Sequence, residues 1–175
     1  MKILIMGILF SLFTSNFTKV YDIKKIREDY ITAINSSDKT DELYSQLSAI
    51  KSPEPILLAY LGSVQALKAK HAWNPVSKLS YLKQGFKTIN AAVAKAPNEI
   101  EVRFLRYSLE YYVPSFLGFS KNLHSDKVKI IELLQKQHPI KLDIDKTILK
   151  NMIYFMVHSD ECTPEELAIL KKIPV

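Results

Sequence analysis

One cysteine, one tryptophan and four glycines are all that a chain of 175 residues contains of these three types. The lone Cys162 excludes an intramolecular disulfide, and its place near the C-terminal end excludes it as a lipid anchor at a leader cleavage site. Beyond Gly7, the glycines Gly62, Gly85 and Gly118 each stand alone. A phosphate cradle needs glycines grouped where the backbone meets the ligand, so Walker-type and Rossmann-type loops are excluded and no nucleotide cofactor is expected. Histidine is also sparse: His71, His124, His138 and His158 lie far apart. A metal site needs three or four converging ligands, and the pair His158 and Cys162 supplies two, so no metal is expected. No stretch alternates apolar and polar residues with a period of two, which excludes a sheet of any size. The basic residues are scattered, with no stripe and no nucleic-acid-binding motif, so nucleic acid is not an expected partner.

What is present describes a folded protein with a basic surface. Hydrophobic residues make up 47% and charged residues 24%, an ordinary globular balance. Lysine and arginine number 24 against 18 acids, a formal net charge of +6. Met1-Lys2 precedes an apolar run from Ile3 to Phe13, followed by the small polar residues Thr14-Ser15-Asn16. This run is too short to cross a bilayer, which takes about 20 apolar residues. A charged start, a short apolar run and a small polar flank read as a secretory leader over residues 1–18. The rest, 19–175, reads as one all-helical domain that is exported, periplasmic or secreted, with no membrane span after leader removal.

Apolar spacing is helical almost throughout. Ile23, Ile26, Tyr30 and Ile34 form one stripe, and Leu43, Leu47 and Ile50 a second. Pro53 and Pro55 open a third helix, since proline suits a first helical turn. That helix is apolar nearly all round, from Ile56 to Leu67, and is expected at the centre. Asn74-Pro75 caps and opens the next, with Leu79, Leu82, Phe86, Ile89 and Val93 on one face. Asn98 to Glu101 has the spacing of a capping box, and Pro114 ends the helix that follows. In the connector 115–124, Phe116, Leu117 and Phe119 are expected to pack inward. Val128, Ile131 and Leu134 mark a further helix, and Ile144, Ile148, Met152 and Phe155 another. Thr163-Pro164-Glu165-Glu166 starts the last. The sum is about eight helices in antiparallel hairpins.

The middle of the chain resembles a tetratricopeptide-type repeat. Leu58, Leu61 and Gly62 echo the start of that repeat. Gly85 and Ile89 stand where the family has alanine and an aromatic residue, and Ala96-Pro97-Asn98 is similar to the turn between repeats. Gln65 departs from the family's tyrosine, and the stretch from Gly62 to Gly85 is longer than a regular repeat allows. The resemblance covers roughly Glu54 to Tyr112. It implies a right-handed helical solenoid or a compact helical array that binds a protein or peptide. The run from Pro97 to Arg106 also resembles little-characterised exported bacterial proteins with repeat-like helices, a likeness that implies no activity.

No catalytic set emerges. Ser48-x-x-Lys51 and Ser80-x-x-Lys83 lack the companion motifs that such a nucleophile needs. One cluster is unusual: Arg103, Arg106, Tyr107, Glu110, Tyr111 and Tyr112 crowd one helix. Arginine forks and tyrosine faces suit a peptide or an acidic ligand, and they equally suit pairing with acids on a neighbouring helix. Trp73, directly before the Asn74 cap, is a second binding candidate, as a helix-start staple or an exposed anchor. The functional expectation is a non-enzymatic interaction module of the cell envelope. Its alternatives are a binder of a small or acidic ligand in an Arg/Tyr-lined pocket and, last, an enzyme whose site is dispersed over several helices.

Overall fold

The computed structural model describes residues 21–136 and 144–174, so the leader reading over 1–18 lies outside the described residues. The protein is all-helical. Its elements are α1 (Ile23–Ala33), α2 (Ser37–Ser48), α3 (Pro55–His71), α4 (Pro75–Lys95), α5 (Ile100–Tyr112), α6 (Leu123–Lys136), α7 (Lys146–Val157) and α8 (Pro164–Leu170). A 3-10 turn, Ser115–Leu117, follows α5. There is no strand among the described residues. No helix of the described residues is long and apolar enough to cross a membrane.

Local chemistry sets most helix starts. Asp22 and Ser36 accept backbone N–H groups at the heads of α1 and α2. Asn74 Oδ1 accepts from Ser77 N at 2.8 Å, with Pro75 in the first turn of α4. At α8, Thr163 and Glu166 form a full capping box. The expected box at Asn98 to Glu101 does not form. The helix begins at Ile100 with Glu99 as its cap residue and no side-chain cap bond. Glu101 is buried instead, because Arg27 and Tyr60 offer its carboxylate better partners than the backbone does.

Helix α3 is central, as an all-round apolar helix must be, and packs on α1, α2, α4 and α5. Its closest neighbour is α4. Gly62 lies beside Ile89 and Gly85 beside Ala66, so the pair runs antiparallel. A Cβ on Gly62 would stand 2.7 Å from Ile89 N, and one on Gly85 2.7 Å from both Ala66 N and Gly62 O. Only glycine lets the two backbones approach this closely.

The interior has two parts that share α5. Val102, Leu105 and Leu109 face the first, with Ile26, Leu43, Leu47, Val64, Phe86 and Ile89 from α1 to α4. Ile100 and Tyr107 face the second, with Ile130, Leu134, Leu149, Met152, Met156 and Leu170 from α6 to α8. Helix α5 is thus the wall between them.

Four positions expected to face inward lie at the surface. Phe116 is 85% exposed, and Leu117 is also exposed, because the 3-10 turn carries them outward past Pro114. Phe119 alone packs inward, stacked on Phe86 at 4.7 Å between ring centroids. Val128 is exposed because α6 turns Asp126 and Lys127 inward with Ile130, Ile131 and Leu134. On α4, Phe86, Ile89 and Val93 are buried, whereas Leu79 near the free end of the face is exposed.

Candidate functional site

The arginines of the cluster are spent in the interior. Arg106 donates from Nε to Asp126 Oδ2 at 2.6 Å, from Nη2 to Asp126 Oδ1 at 2.8 Å, and from Nη1 to Asn90 Oδ1 at 2.9 Å. Arg103 Nη1 donates to the same Asp126 Oδ1 at 2.6 Å, and its Nε reaches the carbonyl of Pro97. Asp126 on α6 has no exposed surface. One buried carboxylate therefore holds two guanidiniums of α5, one of them as a two-pronged fork. Glu110, the next acid along this face, is also buried. It accepts from Asn122 N at 2.7 Å and Asn122 Nδ2 at 2.8 Å. Burial raises its carboxyl above the ordinary value, with the Asn122 bonds and Arg106 opposing the rise.

A second buried ion pair ties α1 to α5. Arg27 Nε donates to Glu101 Oε1 at 2.8 Å, its Nη2 bonds Glu101 Oε2, and Tyr60 OH donates to Glu101 Oε1 at 2.7 Å. Burial, with Glu101 beside it, raises the Tyr60 phenol far above its ordinary range. The hydrogen bonds that Arg27 donates to Glu101 likewise hold its guanidinium protonated.

The tyrosines of the cluster divide. Tyr107 is buried, and its hydroxyl lies 2.9 Å from Ser159 Oγ. Ser159 gives its own proton to Met156 O at 2.9 Å, so Tyr107 is the donor between them. Burial lifts the Tyr107 phenol to about 12. Tyr111 and Tyr112 lie one turn further along α5, at the surface, and here α7 meets them. Phe155 sits against Tyr111 at 5.3 Å and Tyr112 at 5.7 Å, edge to face. On its inner side Phe155 meets Phe104 at 5.4 Å and Tyr107 at 6.0 Å.

The result is a concave groove of about 420 Å³ lined by Tyr111, Tyr112, Asn151, Tyr154, Phe155, His158 and Ser159. Tyr112 is 72% and Tyr154 65% exposed. The rings of Tyr154 and His158 lie 4.1 Å apart, tilted by 31°. His158 Nδ1 lies 2.7 Å from the carbonyl of Tyr154, so that nitrogen carries the proton, and a neutral ring keeps Nε2 as an acceptor. No lysine, arginine, aspartate or glutamate lines this groove. Neither Arg103 nor Arg106 lines it.

Trp73 stands in a different place. It lies in the three-residue turn from α3 to α4 and is 100% exposed, so it does not staple the helix start. Beside it is a cleft of about 280 Å³ walled by α2, α3 and α4, with Asp41, Lys68, His71, Ser77 and Tyr81 among its lining. Lys68 pairs with Asp41 and lies over the rings of Tyr44 and Tyr81, at 5.0 and 5.4 Å from their centroids. His71 Nε2 is buried with no hydrogen-bond partner among the described residues.

Cys162 is half-buried, its thiol donates to Met156 O at 3.5 Å, and burial raises it above the ordinary thiol range. Such a thiol stays protonated and is a poor nucleophile. No three of histidine, cysteine, aspartate and glutamate converge as metal ligands among the described residues. The sequence reading placed Tyr111 and Trp73 among the binding candidates, and the structure sets each beside a concavity. It did not bring in Tyr154, Phe155 and His158, although Tyr154 and His158 stand one helical turn apart, a spacing that signals a shared face. No protein-family model matches the chain, and neither do curated proteins or solved structures.

Proposed function

We propose that this protein is a non-enzymatic interaction module of the cell envelope that holds an extended peptide segment of a partner protein in the groove between α5 and α7. One observation carries the reading: a concavity without lysine, arginine, aspartate or glutamate in its lining, floored by Phe155 and flanked by the exposed rings of Tyr112 and Tyr154. Aromatic-lined grooves dock extended, proline-containing segments, whose rings lie flat on the aromatic faces. Tyrosine supplies large contact area at low entropic cost, and its hydroxyl with Asn151 and His158 provides polar partners for a peptide backbone. The alternative in which Arg103 and Arg106 take an acidic ligand has less support, since both guanidiniums already pair with Asp126.

A tetratricopeptide-like helical array accords with the same function. It is supported by the antiparallel α3 and α4 with Gly62 and Gly85 at their contact. Export is supported by the charged start and apolar run of residues 1–13.

The test is photo-crosslinking in cells from a photoreactive phenylalanine at position 112, followed by fractionation and sequencing of the mature N-terminus. A discrete crosslinked polypeptide in the envelope fraction, lost in a chain that also carries Tyr154→Ala, is the expected result. An unchanged crosslink in that variant rejects the groove. Recovery of the full-length chain from cytosol rejects export.

A further inference from the structure

We propose that the cleft beside Trp73 is a second binding site, one that takes a neutral pyranose ring of a saccharide. It lies between α2, α3 and α4, and its lining shares no residue with the α5–α7 groove. Four observations converge on this ligand chemistry. First, the single tryptophan of the chain is fully exposed in a turn whose two ends are tied down. Ala72 N donates to Lys68 O at 3.0 Å on one side, and Asn74 caps α4 on the other. A large apolar ring held in water on a short, anchored turn carries a hydration cost that a stacked ligand removes. The electron-rich indole face suits the polarised C–H face of a sugar ring.

Second, the cleft is polar and supplies both senses of hydrogen bond. The hydroxyls of Ser77 and Tyr81 in its lining each donate and accept. A sugar hydroxyl donates and accepts at once and so fits a mixed lining better than a ligand of one sense. Third, the lysine and the carboxylate of this lining, Lys68 and Asp41, pair with each other. That pairing leaves neither of them free to recognise an anion or a cation. Fourth, His71 Nε2 is a buried polar atom with no partner among the described residues. Groups of this kind cost stability until a partner satisfies them. The cleft volume of about 280 Å³ is at the small end for ligand sites and suits a single ring rather than a long chain in section.

Trp73 is also the reporter, since no other tryptophan contributes to the emission. The whole chain, as purified, is titrated with soluble oligomers of glucose, galactose and N-acetylglucosamine while its fluorescence is followed, and calorimetry is run in parallel. The expected result is a saturable blue shift with at least one of the three. Trp73→Ala then weakens calorimetric affinity by about tenfold or more, as for an anchoring tryptophan. His71→Ala weakens it to a smaller degree, and Tyr112→Ala leaves it unchanged. The thermal melt of Trp73→Ala matches that of the parent, because the ring has no buried surface to lose. Absence of both shift and heat with all three oligomers overturns the proposal. So does equal affinity in Trp73→Ala, or an emission shift given by a proline-rich peptide and by none of the saccharides.

Discussion

Arg106 shows how a residue type suited to ligand binding becomes structural. Its guanidinium makes three hydrogen bonds, two to Asp126 and one to Asn90, and so joins α4, α5 and α6 at one point. Removing it leaves a buried carboxylate with only Arg103 as a counter-charge. Breaking such a pair costs about 3–5 kcal/mol. Arg106→Ala is therefore expected to lower unfolding stability by that order in denaturant titrations, and a variant within experimental error of the parent would contradict the pairing. Gln65 makes the opposite case. It is buried in α3, and its Oε1 accepts no hydrogen bond from the described residues. Gln65→Met keeps the shape and removes the unpaired acceptor. A gain of roughly 1 kcal/mol in denaturant stability is expected.

At the scale of elements, the α3–α4 pair is decided by two glycines. Gly62→Ala or Gly85→Ala puts a methyl 2.7 Å from the backbone of the other helix, where no flexible side chain can give way. The helices must separate, at a cost of about 1–3 kcal/mol, even though alanine is the better helix former. Thermal melts of the two variants test this, and an unchanged or raised midpoint would show that the contact is looser than described. The facing of α6 follows the same logic with charge in place of shape. Its apolar residues alone would allow Val128 inside. Asp126 and Lys127 occupy the interior instead, because Arg103 and Arg106 need the first, and the second pairs with Glu166 at 2.8 Å and donates to Glu161 O at 2.6 Å. Apolar periodicity gives the helix but not its rotation when buried ion pairs compete for the inner face.

The molecule as a whole buries phenols on both sides of α5. Tyr30 and Tyr107 are each raised to about 12, chiefly by burial, and Tyr60 is raised further. A phenol whose folded pKa exceeds the unfolded value near 10 stabilises the fold fully below pH 10. That contribution is lost as pH rises from about 10 towards 12, because the unfolded state releases the proton first. Spectrophotometric titration should show the phenols of Tyr30, Tyr60 and Tyr107 ionising only with loss of helical circular dichroism. Ionisation of all nine tyrosines in one reversible step near pH 10, with the helical signal intact, would be incompatible with these two interiors.

Much of the helical layout is local and so was legible in the chain. Asn74-Pro75 and Thr163-Pro164 start helices because a side-chain oxygen and a pre-set proline act within one turn. Pro114 ends α5 because it has no donor to give. The all-round apolar character of α3 required a central position, and the scarcity of period-two alternation required helices. Partners distant in sequence were not legible. Glu101 fits a capping box on spacing alone, yet Arg27 lies 74 residues away and claims it. Arg103 and Arg106 suit ligand capture as well as pairing, and only the packing of α6 against α5 supplies Asp126. The α5–α7 groove and the cleft beside Trp73 likewise combine residues from separate helices. The sequence by itself determined where helices begin, end and turn an apolar face, because those rules act over a few residues. The tertiary structure decided which polar groups are consumed within the fold and which aromatic rings are left at the surface, because that depends on where distant helices meet.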